Sequence, residues 1–183
     1  RDAGISHATC HRYLNLLETG CQIERVAPFT ANPVALVKSP KLFWRDSGVA
    51  CWLGGIYDLA ALAQRKDLGF WLEQAVFQSL HAWRAMDPFR RRLSFWRTRG
   101  GAEVDFVLEQ GQDIVALEIK AGSRIGLGDV AGLRRFIESQ ESRASFVRGI
   151  ALYGGSDIRF FGEDIVALPC GALFPALAPP EER

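Results

Sequence analysis

Residues 103–120 read EVDFVLEQGQDIVALEIK, and the alternation within this stretch decides the fold. Residues 103–110 and 114–120 each carry β-branched or large apolar residues at every second position, as strands with one buried face do. Between them, Gly111-Gln112-Asp113 supplies turn residues. If Gln110 pairs with Asp113 across a two-residue turn, Leu108 faces Val115, Phe106 faces Leu117 and Val104 faces Ile119, giving one continuous apolar face. The same register sets Asp105 opposite Glu118 and Glu103 opposite Lys120, with Asp105, Glu118 and Lys120 together on the other face. A slip of one residue would turn an apolar set outward, so the register is well specified.

Two carboxylates directly opposite each other on a sheet repel. A divalent cation between them removes that cost, and oxygen ligands suit Mg²⁺ or Mn²⁺. Any one of these charged residues, taken singly, reads as a solvated strand residue. Glu73 alters that balance. On a helix expected from about Gly69 to Trp83, Val76, Phe77 and Leu80 follow Glu73 at i+3, i+4 and i+7, which puts an acid on the core-facing stripe. A buried carboxylate needs a partner; a role near the helix start is the alternative. Lysine usage adds a further hint, since Lys38, Lys41, Lys66 and Lys120 are the only lysines among 22 basic residues. Lys120 keeps a compact ammonium, for which a planar guanidinium does not substitute.

Glu73, Asp105 and the Glu118-Ile119-Lys120 triplet resemble the core of the PD-(D/E)XK nuclease superfamily: a helix Glu, an Asp on one strand and (Asp/Glu)-X-Lys on the next. The likeness extends along the chain. Residues 12–53, RYLNLLETGCQIERVAPFTANPVALVKSPKLFWRDSGVACWL, resemble the winged-helix segment that precedes such a domain in one group of prokaryotic AAA-type P-loop ATPases. Lys41 to Gly48, Gly69 to Glu73, Glu103 to Phe106 and Glu118 to Gly122 follow the order of motifs in that group's uncharacterised C-terminal domain.

The resemblance implies an α/β fold: a restriction-endonuclease-like mixed central sheet flanked by helices, with a small N-terminal winged-helix-like segment. In the metal-dependent reading, Asp105 and Glu118 ligate Mg²⁺ or Mn²⁺, with the Ile119 carbonyl as a third oxygen. Lys120 orients the attacking water or stabilises charge. Glu73 holds a second-shell water or a second metal. Arg90, Arg91, Arg92, Arg97 and Arg99 are candidate phosphate contacts, although a solvated basic face explains them as well.

Composition sets the remaining bounds. The 183 residues hold one domain or two small ones. With 48% hydrophobic and 23% charged residues, this is an ordinary globular composition. A net charge of +1 carries no global nucleic-acid signal. Cys10, Cys21, Cys51 and Cys170 are widely spaced without CxxC, so free thiols are expected rather than a disulfide framework. His7, Cys10 and His11 share a helix face but lack a second ligand group for zinc. No apolar run reaches membrane-span length and no signal peptide opens the chain, so a cytoplasmic location is expected. No Walker A motif occurs, and the start at Arg1 reads as a fragment whose ATPase portion lies upstream.

The expected organisation has four parts: a partial winged-helix-like segment at 1–47, a helical connection at 48–68, the nuclease-like domain at 69–170 and a flexible tail at 171–183. Within it we expect a helix over 7–18 capped by Ser6, strands at 21–28 and 34–44 around Asn32-Pro33, and a helix near 69–85. A strand at 93–98, the hairpin, a helix over 129–139 and strands at 148–153 and 157–161 follow. The function expected is a metal-dependent DNA nuclease module coupled to a P-loop ATPase, with an oligomer possible. The rival is a non-catalytic module that binds DNA or a partner and regulates the ATPase. A plain repressor is the weaker third reading, because residues 7–18 offer few side chains to base edges.

Overall fold

A computed structural model of the chain describes residues 4–29, 39–140 and 146–173. Its centre is a six-stranded mixed sheet, entered through three N-terminal helices, a small two-stranded sheet and one long helix. The helices are α1 (His7–Thr19), α2 (Ser47–Leu53), α3 (Leu59–Ala63), α4 (Leu68–Ala85) and α5 (Ala131–Gln140). The strands are β1 (Ile23–Val26), β2 (Lys41–Trp44), β3 (Arg91–Arg97), β4 (Glu103–Gln110), β5 (Asp113–Lys120), β6 (Phe146–Tyr153), β7 (Arg159–Phe160) and β8 (Ile165–Pro169).

β1 and β2 pair antiparallel, and the large sheet runs β3-β4-β5-β6-β8-β7. β3, β4 and β5 form an antiparallel meander; β6 joins β5 in parallel and β8 joins β6 in parallel. The parallel step from β5 to β6 needs a crossover, and α5 supplies it. Strand β8 lies between β6 and β7 and was not anticipated. Its IVALP stretch is apolar without alternation although only Ile165 and Ala167 are buried, so the sequence does not mark it as a strand with one buried face.

Three short helices begin on side-chain caps that the sequence supplies. Ser6 accepts from the Thr9 amide at 3.1 Å, Asp46 from Val49 at 2.9 Å and Asp58 from Ala61 at 2.7 Å. The stretch 48–68 is thus two short helices broken at Gly54-Gly55, where Gly55 takes φ +71°. The expected strands at 21–28 and 34–44 are shorter, at Ile23–Val26 and Lys41–Trp44. The Asn32-Pro33 turn lies outside the described residues, as does the tail beyond Leu173; residues 170–173 form a 3-10 turn.

The hairpin turns as expected. Gly111 adopts φ +66°, and Gln110 pairs with Asp113, Leu108 with Val115 and Phe106 with Leu117. Beyond Phe106 the expectation fails. Ser94 pairs with Val107 but Trp96 pairs with Val104, so Asp105 and Phe106 together oppose Phe95 alone. This β-bulge re-aims the residues before it. Val104 therefore packs with Trp96, Val107 and Ala116, on the opposite side of the sheet from Phe106, Leu117 and Ile119. The single apolar face anticipated through Val104 is split between two cores.

Those cores sandwich the sheet. On one side Val76, Phe77 and Leu80 of α4 and Phe43 of β2 cover Leu93, Phe95, Phe106, Leu117 and Ile119. On the other, Leu133, Phe136 and Ile137 of α5 cover Val107, Ala116, Val147 and Ala151. The N-terminal segment also reaches the outer edge of the large sheet. Phe29 donates to the Phe95 carbonyl at 2.7 Å, Phe95 donates to the Ala27 carbonyl at 3.2 Å, and Pro28 lies alongside Phe95. Among the described residues no helix is long and apolar enough to cross a membrane.

Candidate active site

At the end of the sheet where β4 starts and β5 finishes, a cleft of about 730 Å³ opens between α4, β2 and the start of α5. Glu73, Asp105, Glu118, Ile119 and Lys120 all line it. Five acidic and four basic side chains share its wall, the others being Glu103, Asp129, Lys41, Arg97 and Arg135.

Each side chain is placed by a local device. Glu73 stands in the second turn of α4, ahead of the buried Val76, Phe77 and Leu80. Glu118 and Lys120 alternate onto one face of the last turn-free stretch of β5. Asp105 is set by the bulge, and its Oδ2 accepts the Ile119 amide at 2.9 Å just beyond the last regular β4–β5 pair. Across the cleft, Gly132 lets α5 lie against β4, since a Cβ there would collide with the Glu103 carbonyl oxygen.

Lys41 is the residue that sequence reasoning quoted without giving it a role. Lys41 and Phe43 share a face of β2, so burying Phe43 carries the lysine stem inward too. Gln74, itself almost fully buried, fixes this strand against α4 by donating to the Trp44 carbonyl at 2.6 Å and accepting from the Trp44 amide at 3.0 Å. The Lys41 ammonium then lies 2.9 Å from Glu73, 2.9 Å from Glu103 and 3.3 Å from Asp105, with its side chain 16% exposed. Lysine is rare among the basic residues, and that rarity marks Lys41 as much as Lys120. Glu103 does not face Lys120, as the straight register implied. The bulge turns it to Lys41 and to Arg97, which it meets at 2.6 Å.

The acids fall into two groups around Asp105. Burial, and then the charge of Asp105, push the Glu73 carboxyl above its ordinary range against the pull of Lys41. Burial also works against ionisation of Glu103, but Lys41 and Arg97 outweigh it and hold that carboxyl low. At Lys41, burial opposes the charge, yet Glu73 and Asp105 keep the ammonium protonated well above the usual lysine range. Glu118 forms the second group. It meets Lys120 at 2.7 Å through Oε1, while Oε2 is buried and has no hydrogen-bond partner. Burial and then Asp105 raise the Glu118 carboxyl to about 7.

That shift has a signed consequence for stability. Folding raises the Glu118 pKa from 4.5 to about 7, so the folded chain binds more protons than the unfolded one in that window. Metal-free stability therefore falls as pH rises from about 4.5 through 7. Glu118→Gln is neutral throughout and removes this slope. In chelator-containing buffer we expect it to exceed the parent by about 3 kcal/mol at pH 8 and to match it at pH 4. Urea titrations at both pH values check this, and an unchanged difference between them contradicts it.

A metal was expected here, and the donor set suits it in part. Glu118 Oε2, buried near Asp105 and without a hydrogen-bond partner, is chemically suited to be one oxygen of a two-carboxylate cation site. Among the described residues no three His, Cys, Asp or Glu side chains are grouped to hold an ion. Glu73 in particular is tied to Lys41 rather than aimed at the Asp105–Glu118 pair. The helix-borne His7 and His11 contact each other, Nε2 to Nε2 at 3.2 Å, and with Cys10 they form no metal-holding group.

The expected phosphate contacts divide by position. Arg97 lines the cleft in its pair with Glu103. Arg99 is exposed in the turn beyond it. Arg91 and Arg92 sit at the other end of β3, opposite Gln110 and Glu109. A seven-residue strand is about 20 Å long, so the arginine run stands well away from the acids. Arg91 donates to the Trp83 carbonyl at 2.8 Å and stacks on that indole. Arg90 and Arg92 border a separate polar cleft with Phe89, Glu109 and Gln110. Arg135 was not singled out for the site, yet it lines the cleft.

Comparison with known proteins bears on the whole arrangement. Residues 68–173 match the family described as a domain of unknown function, DUF4143, and residues 1–60 match a second one, DUF8612. The chain is similar to an uncharacterized protein of Mycobacterium bovis and to one of Mycobacterium tuberculosis, each 29% identical over 174 residues. The match covers 94% of this chain and 37% of each relative, so the chain spans little more than a third of their length. No solved structure matches.

Proposed function

The chain belongs to the DUF4143 family of domains of unknown function, and from that premise we propose that its cleft performs metal-dependent hydrolysis of a DNA phosphodiester. The observation that carries this reading is the Glu118 carboxylate, buried against Asp105 with one oxygen left without a partner. Asp105, Glu118 and the Ile119 carbonyl would hold Mg²⁺ or Mn²⁺. When bound, such an ion supplies Lewis-acid polarisation of a phosphoryl oxygen and a water of lowered pKa.

The chain's own groups supply the remainder. Lys120, a third exposed at the cleft wall, reaches both Glu118 and the open space, where its ammonium orients a water or offsets developing negative charge. Arg97 and Arg135 border the same space and are placed to meet neighbouring phosphates. The ionic balance of the wall favours the same reading. Five acids against four bases do not attract a polyanion, and a bound divalent cation reverses that sign.

Topology adds support. The order α4-β3-β4-β5-α5-β6, a mixed sheet with helices on both faces, is compatible with the restriction-endonuclease-like core that the sequence resemblance implies. Helix α1 followed by the antiparallel β1–β2 pair suits the second half of a winged helix. DNA and an ATPase portion of a longer protein are the partners this reading names.

The direct test is Mn²⁺ binding by calorimetry. The parent should show saturable uptake, and Asp105→Asn should weaken it at least about tenfold, as loss of a charged ligand does. A second reading, a non-catalytic module that binds DNA or a partner and regulates the ATPase, draws on the full engagement of Asp105. Its Oδ1 is held by Lys41 and its Oδ2 by the Ile119 amide. That reading requires DNA or partner binding that Asp105→Asn leaves unchanged, without Mn²⁺ uptake.

A further inference from the structure

A half-exposed phenylalanine taken singly needs no explanation, but Phe70 is uncovered where the helix pattern calls for burial. It lies on the core stripe of α4, with Glu73, Phe77 and Leu80 following at i+3, i+7 and i+10, and Phe77 and Leu80 are buried against the sheet. Phe70 is nevertheless 49% exposed, because the stripe runs out of the core into the cleft that holds the acids, whose wall the ring joins. Its neighbours hold the ring in place. Phe70 meets the buried Trp71 edge to face, with centroids 5.2 Å apart and planes at 87°. Trp71 is itself confined by the end of α2, since a Cβ at Gly54 would approach its ring to 2.7 Å. A Cβ added at Gly69 would meet nothing within 4 Å, so the space next to Phe70 is open.

Resting on the phosphodiester reading above, we propose that Phe70 is a stacking platform for an unpaired base, so that the substrate class of this cleft is single-stranded DNA. The functional groups around it are ionic, with Lys120, Arg97 and Arg135 available to phosphate oxygens. An aromatic face offers a phosphate nothing. Every base, in contrast, has a π-face that stacks on such a ring whatever the sequence. In a duplex those faces are taken by neighbouring base pairs, and only an unpaired or extruded nucleotide brings one to a side chain. The placement along α4 suits this use. Phe70 and Glu73 are one helical turn apart, about 5–6 Å between Cβ atoms, so a base lying on the ring sets its own backbone beside the acids of the cleft. Phe70 thereby selects the form of the strand, a choice that the groups assigned to hydrolysis do not make.

Fluorescence anisotropy of the full chain with a labelled oligothymidine and with a duplex of equal length tests the proposal, Ca²⁺ being supplied as a divalent ion that takes oxygen ligands. The parent should prefer the single strand. Phe70→Ala should weaken single-strand binding by about five- to a hundredfold, the range for losing one base stack, and leave duplex binding nearly unchanged. Phe70→Tyr keeps the π-face and should bind as the parent does. Phe70→Leu keeps apolar bulk without that face and should bind as weakly as Phe70→Ala, which a merely structural role for the ring does not produce. Equal binding of the two DNA forms by the parent, or equal single-strand affinity in the Tyr and Leu variants, overturns the proposal while leaving the metal-dependent reading intact. Single-strand binding that needs Phe70, in a chain that cuts no DNA with Mg²⁺ or Mn²⁺, retains the platform and sinks hydrolysis. No binding of either form by the parent overturns both.

Discussion

Lys120→Ala is expected to lower Mg²⁺- or Mn²⁺-dependent cleavage of DNA by about a thousandfold, the scale of removing one preorganised charge-stabilising group. Its stability should stay within about 1 kcal/mol of the parent. The separation follows from where the side chain sits. Lys120 ends β5, is a third exposed and makes a single ion pair, with Glu118 at 2.7 Å. With Lys120 removed, the buried Glu118 carboxyl, already raised to about 7, can take up a proton, so the fold should register little of the loss. Lys120→Arg keeps the charge but replaces a compact ammonium with a planar fork, and should recover only a small part of the rate. Single-turnover cleavage of single- and double-stranded DNA, alongside urea unfolding, supplies both readouts. A parent chain that cuts neither substrate with either metal, or an alanine variant that keeps a tenth of the parent rate, sinks the assignment.

The second large effect is structural. Phe77→Ala should cost about 3–5 kcal/mol, the usual range for deleting a fully buried ring. Phe77 is completely inaccessible, stacks on Phe43 and approaches Phe106 with a centroid separation of 6.4 Å. Those three rings join α4, β2 and β4, the elements that bring Glu73, Lys41 and Asp105 together. The substitution should therefore disturb the site as well as the stability, in contrast to Lys120→Ala. Phe77→Leu, which keeps most of the volume, should cost roughly a third as much. Denaturant titration of the two variants gives the comparison, and equal costs would mean that the stacked trio is not what holds these elements.

How much of this was legible in the sequence depended on whether side-chain periodicity recorded it. The β4–β5 hairpin was, because Gly111 marks the turn and alternation fixes the pairing as far as Phe106 with Leu117. The bulge was not. Phe106, Val107 and Leu108 are all apolar, so within this run alternation does not show where an extra residue enters. One unmarked residue moved Val104 into the opposite core and turned Glu103 from Lys120 to Lys41 and Arg97.

The site was read in the same uneven way. Glu73, Asp105, Glu118 and Lys120 do line a single cleft; the apolar pattern fixed the direction of Glu73, Glu118 and Lys120, whereas the bulge set that of Asp105. Lys41 escaped because its position depends on a contact between the small sheet and α4, through Gln74 and Trp44, that no local pattern encodes. The arginine run, read as phosphate contacts or as a solvated basic face, stands apart from the cleft. It is conspicuous as composition, but a strand's length separates it from the acids.

The brief contact of residues 27–29 with β3 has a bearing on self-association. Phe95 offers both of its outward peptide groups, and Phe29 and Ala27 take them. The proline between these two has no amide hydrogen to extend a ladder. A visiting chain that tried to add itself along this border would find the central rung occupied by a neighbour unable to propagate. The molecule thus carries its own stopper against fibre-like stacking on that flank.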